Sequence, residues 1–212
     1  LAPCCSLLAG GRWPGAGRLS VPPPGYVRLM LCMNCLRPGG DLCDRCRCSL
    51  MEAPARMVGE HLIVRAAYVH AGLAKRIVHD LKYRGLVGRA AILAPGMAAN
   101  LPVEATSLVP IPRSLVRRLQ IGVDPGLELG LAVSRLTGLP LNRLLAPPLW
   151  QARHAGKGRD RRAPVQLRAR KPADPGAVIV DDVVTTGATL TAAAAVLGPG
   201  VIGAVSATAA GV

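Results

Sequence analysis

The sequence predicts an α/β protein, a mainly parallel sheet flanked by helices, preceded by a small cysteine-rich module. Three observations carry this expectation. Apolar strand-like runs alternate with helix-period segments from residue 62 to the end. All seven cysteines fall before residue 49. The string VIVDDVVTTGATL, residues 178–190, reads as a buried strand, a polar loop and the start of a helix.

Residues 1–52 combine the cysteines with several prolines and little periodicity, which sets them apart from a second domain over residues 53–212. Residues 62–69 read as a strand. Over residues 72–83, Leu73, Ile77 and Leu81 stand four apart and define an amphipathic helix. Residues 90–101 form a second helical segment, weakened by Pro95 and Gly96. Residues 107–111 are a short apolar strand stopped by Pro112. Leu129, Val133 and Leu136 give residues 126–137 a helical period. Residues 153–171 are polar, basic and aperiodic, so they read as a loop or hairpin. Residues 177–180 make a strand, 188–197 a helix and 201–208 a last strand.

Half of the 212 residues are apolar, enough to bury a core and to exclude wholesale disorder. There is no Phe, with three Tyr and two Trp, so the core must come from aliphatic side chains and platforms for stacking bases are scarce. The net charge of +14 points to anionic partners, either phosphorylated metabolites or nucleic acid. Residues 183–212 carry no charge and are long enough for a membrane span. Thr185, Thr186, Gly187 and the Gly198-Pro199-Gly200 break interrupt that stretch, and a helix, a turn and a buried strand explain it better. No targeting segment is recognised, and the expectation is a soluble, cytoplasmic protein with no membrane span.

Cys32, Cys35, Cys43 and Cys46 form CxxC, seven intervening residues, then CxxC. Each pair can set two thiolates on one knuckle, and four complete a tetrahedral zinc site. Gly39 and Gly40 supply the turn that the short spacer needs, and Arg37, Arg45 and Arg47 would offset the charge. Disulfides are the rival reading, but an odd cysteine count suits a disulfide framework poorly. Cys48 could replace Cys46, and Cys4 and Cys5 could belong to an incomplete second knuckle. The expected role of Zn²⁺ is structural.

In residues 178–190, Val178, Ile179 and Val180 are apolar on both faces, as a central parallel strand requires. Asp181 and Asp182 should then fall at its carboxyl end, where open α/β sheets bind ligands. Adjacent carboxylates repel one another and lose hydration, so they call for a counter-cation or a polyhydroxylated ligand. Thr185, Thr186, Gly187, Ala188 and Thr189 lead into a helix whose unpaired N–H groups suit a phosphate dianion. Acids for ribose hydroxyls followed by a nest for the 5-phosphate make a reader of ribose 5-phosphate. The bland alternative is a strand ending in turn residues, with Thr capping the helix.

This string resembles the PRPP-binding motif of type I phosphoribosyltransferases, and especially that of the ComF/GntX family. Residues 68–85, YVHAGLAKRIVHDLKYRG, resemble that family's segment ending in LKY.G; VPIP at 109–112 resembles its strand end; Gln151 with Arg159 resembles its "Q…R..N" stretch. The resemblance spans nearly the whole chain and implies the type I phosphoribosyltransferase fold with a zinc-ribbon-like amino-terminal module. It implies a pentosyl transferase acting on PRPP with Mg²⁺, with Asp181 and Asp182 holding the ribose, directly or through the metal. Thr185–Thr189 would hold the 5-phosphate, and Arg113, Lys157 and Arg159 would be the groups for pyrophosphate. It also implies a link to competence and DNA uptake, with single-stranded DNA and a competence helicase as partners; a DNA-binding protein retaining only the pocket is the alternative function. The chain departs from the family at residues 118–122, RLQIG in place of an RGFNQ-like run, and at Arg162 in place of Asn. Those departures bear on turnover more than on binding. Lys82, Tyr83 and Arg84 could approach the pocket, but cations at a helix C-terminus are favoured in any case.

Overall fold

The computed structural model describes residues 31–149 and 167–211. Seven strands and six helices follow one another along them. After α1 (Asp44–Arg47) come β1 (Arg56–Val58), β2 (Leu62–Val69), α2 (Gly72–Arg84), α3 (Arg89–Ala99), β3 (Ser107–Pro110), α4 (Leu115–Ile121) and α5 (Pro125–Thr137). The short strands β4 (Leu145–Ala146) and β5 (Arg168–Ala169) precede β6 (Ala177–Val184), α6 (Ala188–Leu197) and β7 (Val201–Ala209).

Five strands form the main sheet in the order β1-β2-β7-β6-β3. All neighbours are parallel except β1, which pairs antiparallel with β2 at the edge. The alternation of β6 explains its central place. Val178 and Val180 join a core with α2, α3 and α5, whereas Ala177 and Ile179 join a second core with α6 on the opposite face. The expected α/β architecture, a mostly parallel sheet between helical layers, is therefore present, with one antiparallel edge.

The strand and helix limits agree with sequence periodicity where one apolar pattern dominates, as in 62–69 and 188–197. They differ where sheet pairing or burial overrides it. The strand expected over 177–180 runs on to Val184, because Asp181 pairs with Ser206, Val183 with Thr208 and Val184 with Ala209 of the longer β7. The acid pair thus lies within a strand and not beyond its end. Pro95 is accommodated inside α3, whose Ile92, Leu93, Ala94 and Met97 are all buried. Gly96 is used there for proximity: a Cβ would come 2.5 Å from the Tyr68 hydroxyl. Helix α4 was not among the expected elements, and none of its residues is buried.

The cysteine knuckle is built onto the first core. Cys32, Leu42, Cys43, Cys46 and Leu50 share an apolar cluster with Ala74, Ile77 and Leu81 of α2 and with Leu93 and Met97 of α3. No helix among the described residues is long and apolar enough to cross a membrane.

Candidate functional site

A cavity of about 250 Å³ opens beyond β3 and beside the outer half of β6. Its wall includes Lys82, Arg113, Asp124, Asp181, Asp182 and Thr189. Four of these six, Arg113, Asp181, Asp182 and Thr189, are residues that the sequence nominated.

Asp182 is buried, and both of its carboxylate oxygens meet the Lys82 ammonium, at 2.9 and 3.0 Å. The partners come from the last turn of α2 and from β6, one hundred residues apart. Burial alone would lower the Lys82 pKa, but the Asp182 carboxylate outweighs it and holds the ammonium above its ordinary range. Lys82 is thus the counter-cation that two adjacent carboxylates demand. The helix-dipole reading of Lys82 is incomplete. Nothing in its local sequence distinguishes it from Arg84, which pairs instead with Asp80 of its own helix at 3.3 Å.

Asp181 behaves differently. One of its oxygens accepts the Asp182 backbone N–H at 2.8 Å. Desolvation, reinforced by the neighbouring Asp182 charge, pushes its pKa up to about 7. The pair therefore divides its work: Asp182 is engaged by Lys82, and Asp181 stands ready to gain or lose a proton near neutrality.

Arg113 is buried at the opposite wall. Its backbone N–H donates to Asp124 Oδ2 at 3.1 Å, and Nη1 donates to the carbonyls of Lys82 and Val123, at 2.7 and 3.2 Å. Those bonds fix the guanidinium and tie the β3 end to both the α2 end and the α5 start. Burial lowers the Arg113 pKa, partly offset by Asp182. Asp124, at the N-cap of α5, is also buried, with its pKa raised by desolvation.

The loop after β6 is less convergent. Thr189 reaches the cavity wall, whereas Thr185, Thr186 and Ala188 are exposed. Gly187 is the N-cap of α6 with φ +79°, a left-handed conformation, and a Cβ there would collide with Val58 of β1. The Thr185 carbonyl is held by Arg56 Nη2 at 2.7 Å. Gly187 itself has no side chain to cap α6; the Ala188 N–H donates to the Thr186 hydroxyl in a long, 3.5 Å bond. The helix start remains open to an anion on the side where the loop faces solvent. Lys157 and Arg159, the other groups nominated for pyrophosphate, lie outside the described residues, as do Gln151, Arg162, Cys4 and Cys5.

The second site is the cysteine knuckle. The Sγ atoms of Cys32, Cys35, Cys43 and Cys46 all lie within 4.8 Å of one another. Zinc–sulfur bonds of about 2.3 Å in a tetrahedron put sulfurs roughly 3.8 Å apart, so this spacing fits the metal after slight contraction. Backbone N–H groups of Cys35 and Cys43 lower the Cys32 pKa to about 6. Cys46 is lowered by the Asn34 amide at 3.3 Å, but burial and the adjoining sulfurs outweigh that and push it up to about 11. Four thiols so crowded cannot all ionise alone; a divalent cation resolves the conflict. Cys48 is exposed and outside this group, so Cys46 is the fourth ligand candidate. Asn34 also accepts from Arg76 of α2 at 3.4 Å, tying the knuckle to the helix that carries Lys82.

No protein-family model matches the chain, and no curated protein matches it in sequence.

Proposed function

We propose that the chain is a protein of the type I phosphoribosyltransferase fold whose Asp181/Asp182 cavity binds the 5-phosphoribosyl group of PRPP and transfers it to an acceptor. The observation that carries this reading is the junction of an acid pair in the cavity wall with an open, glycine-started helix N-terminus five residues later. Asp182, paired with Lys82, and Asp181 are suited to accept hydrogen bonds from ribose hydroxyls. Thr185–Thr189 and the first N–H groups of α6 are suited to the 5-phosphate.

The parallel sheet supports the same reading, since the cavity opens beyond the carboxyl end of β3, where ligands of open α/β sheets gather. In transfer, an acceptor lone pair forms the new bond to the anomeric carbon while the carbon–oxygen bond to pyrophosphate breaks, and pyrophosphate leaves with the electron pair. Arg113, already anchored by two carbonyls, offers positive charge at the wall where that charge would develop. Mg²⁺, when bound, would neutralise the diphosphate, with Asp181 and Asp182 as its protein-side groups, directly or through the ribose. Because Lys82 already balances Asp182, the acid pair does not need that metal for its own stability. The single-stranded DNA reading rests on the cysteine knuckle together with the basic residues 153–171, most of which lie outside the described residues.

The test is PRPP-dependent release of pyrophosphate from metal-replete protein across a broad panel of acceptors. Release that disappears in Asp181→Asn/Asp182→Asn supports transfer. Absence of PRPP consumption with every acceptor overturns it.

A further inference from the structure

A second and larger cavity, about 510 Å³, lies on the other side of Pro112 and Asp124. Its chemistry differs from that of the first. Arg118 of α4, Arg143 and Arg170 stand around it, and none of the three is in an ion pair among the described residues. The small sheet positions two of them: Leu145 pairs with Ala169, and the Arg170 N–H donates to the Leu144 carbonyl at 2.7 Å. This brings Arg143 and Arg170, twenty-seven positions apart, to one rim. Leu127 and Leu145 supply an apolar wall.

Asp124 supplies the second, independent observation. It is only 6% exposed; Oδ2 accepts from Arg113, the Leu127 backbone N–H at the start of α5 favours its charged form, and the buried Oδ1 is in hydrogen-bonding geometry with no donor among the described residues. A buried acceptor left unpaired costs about 1–3 kcal/mol, and such atoms are rare unless a ligand or water completes them. The same residue lines both cavities.

The geometry points to this second cavity as a binding site for a small organic anion: a carboxylate or phosphate met by Arg118, Arg143 and Arg170, an apolar body against Leu127 and Leu145, and an N–H or O–H donor for Asp124 Oδ1. The volume is within the range of small-molecule pockets, and an apolar wall with a few convergent polar groups is their usual composition. Three cations against one acid set the sign of the ligand's charge. The site stands on its own residues and does not require that the first cavity bind PRPP.

The experiment is calorimetric titration of the full chain with 4-aminobenzoate, which carries both a carboxylate and an N–H donor, beside benzoate and the uncharged 4-aminobenzamide. Arg143→Gln/Arg170→Gln is the test variant; both side chains are exposed, so the fold should survive, which circular dichroism checks. The expected order of affinity is 4-aminobenzoate, then benzoate, then 4-aminobenzamide, with at least about a tenfold loss for 4-aminobenzoate in the variant. Asp124→Asn, which keeps an acceptor for the Arg113 N–H, should erase the preference for 4-aminobenzoate over benzoate. Equal binding of the charged and uncharged probes, unchanged affinity in a folded double variant, or no heat with any probe at millimolar concentration overturns the assignment. Titration of Arg143→Gln/Arg170→Gln with PRPP separates the two sites: neither arginine lines the first cavity, so PRPP binding should be the same as in the unsubstituted chain.

Discussion

Asp182 would be an expensive residue without Lys82. The two side chains are 10% and 31% exposed, so their attraction is poorly screened, and removing one leaves the other uncompensated. Lys82→Met should lower stability by about 2–3 kcal/mol in urea denaturation at neutral pH. Adding Asp182→Asn to that variant should restore part of the loss. Additive losses would mean that the pair is not coupled. Asp181 makes a separate prediction about pH. Its folded-state pKa of about 7 lies above the unfolded carboxylate value of about 3.9, so the native chain holds an extra proton between the two. Stability from this group is full at acid pH and falls as pH rises from about 4 to about 7. Asp181→Asn does not titrate; its stability relative to the natural chain should therefore climb through that window and level off above it. Parallel stability–pH curves for the two proteins would contradict the assignment.

At the scale of elements, the β6–loop–α6 unit depends on Gly187. Its left-handed backbone costs a side-chain-bearing residue about 1–2 kcal/mol, and Val58 occupies the place of a Cβ. Gly187→Ala should exceed that cost and displace the loop. In a double-mutant cycle, Val58→Ala should be less harmful beside Gly187→Ala than alone, because it vacates the collision. Equal effects in both backgrounds would show that the loop relaxes away from β1.

Much of this unit was legible in the sequence. A run apolar on both faces, two acids and a Thr-Gly loop mark strand, site and helix start. The length of β6 was not legible, because it is set by β7 across the ladder and not by local polarity. Lys82 was legible as a helix-end cation but not as a partner of Asp182, since an ion pair across one hundred residues leaves no periodic trace. Asp124 was not legible either: a lone acid leaves no pattern, and only packing shows that it is buried and lines both cavities.

In the whole molecule, the two sites share one core. The knuckle's Cys32, Cys43 and Cys46 pack in the same cluster as α2 and α3, and α2 carries Lys82 to the cavity. The CxxC spacing showed which sulfurs converge, but not that the convergence stands on the main sheet's helical layer. Metal analysis should find one zinc per chain, and a strong chelator should lower the melting temperature of the protein as one transition. A chelated chain with an unchanged melting temperature would show that the knuckle is held by packing alone.

The most direct test of the central claim, a phosphoribosyl pocket at Asp181 and Asp182, is calorimetric titration with PRPP in the presence and absence of Mg²⁺. The account predicts binding at one site per chain, strengthened by Mg²⁺ and lost in a folded Asp181→Asn/Asp182→Asn variant. No heat under either condition, or the same affinity in that variant, would contradict it.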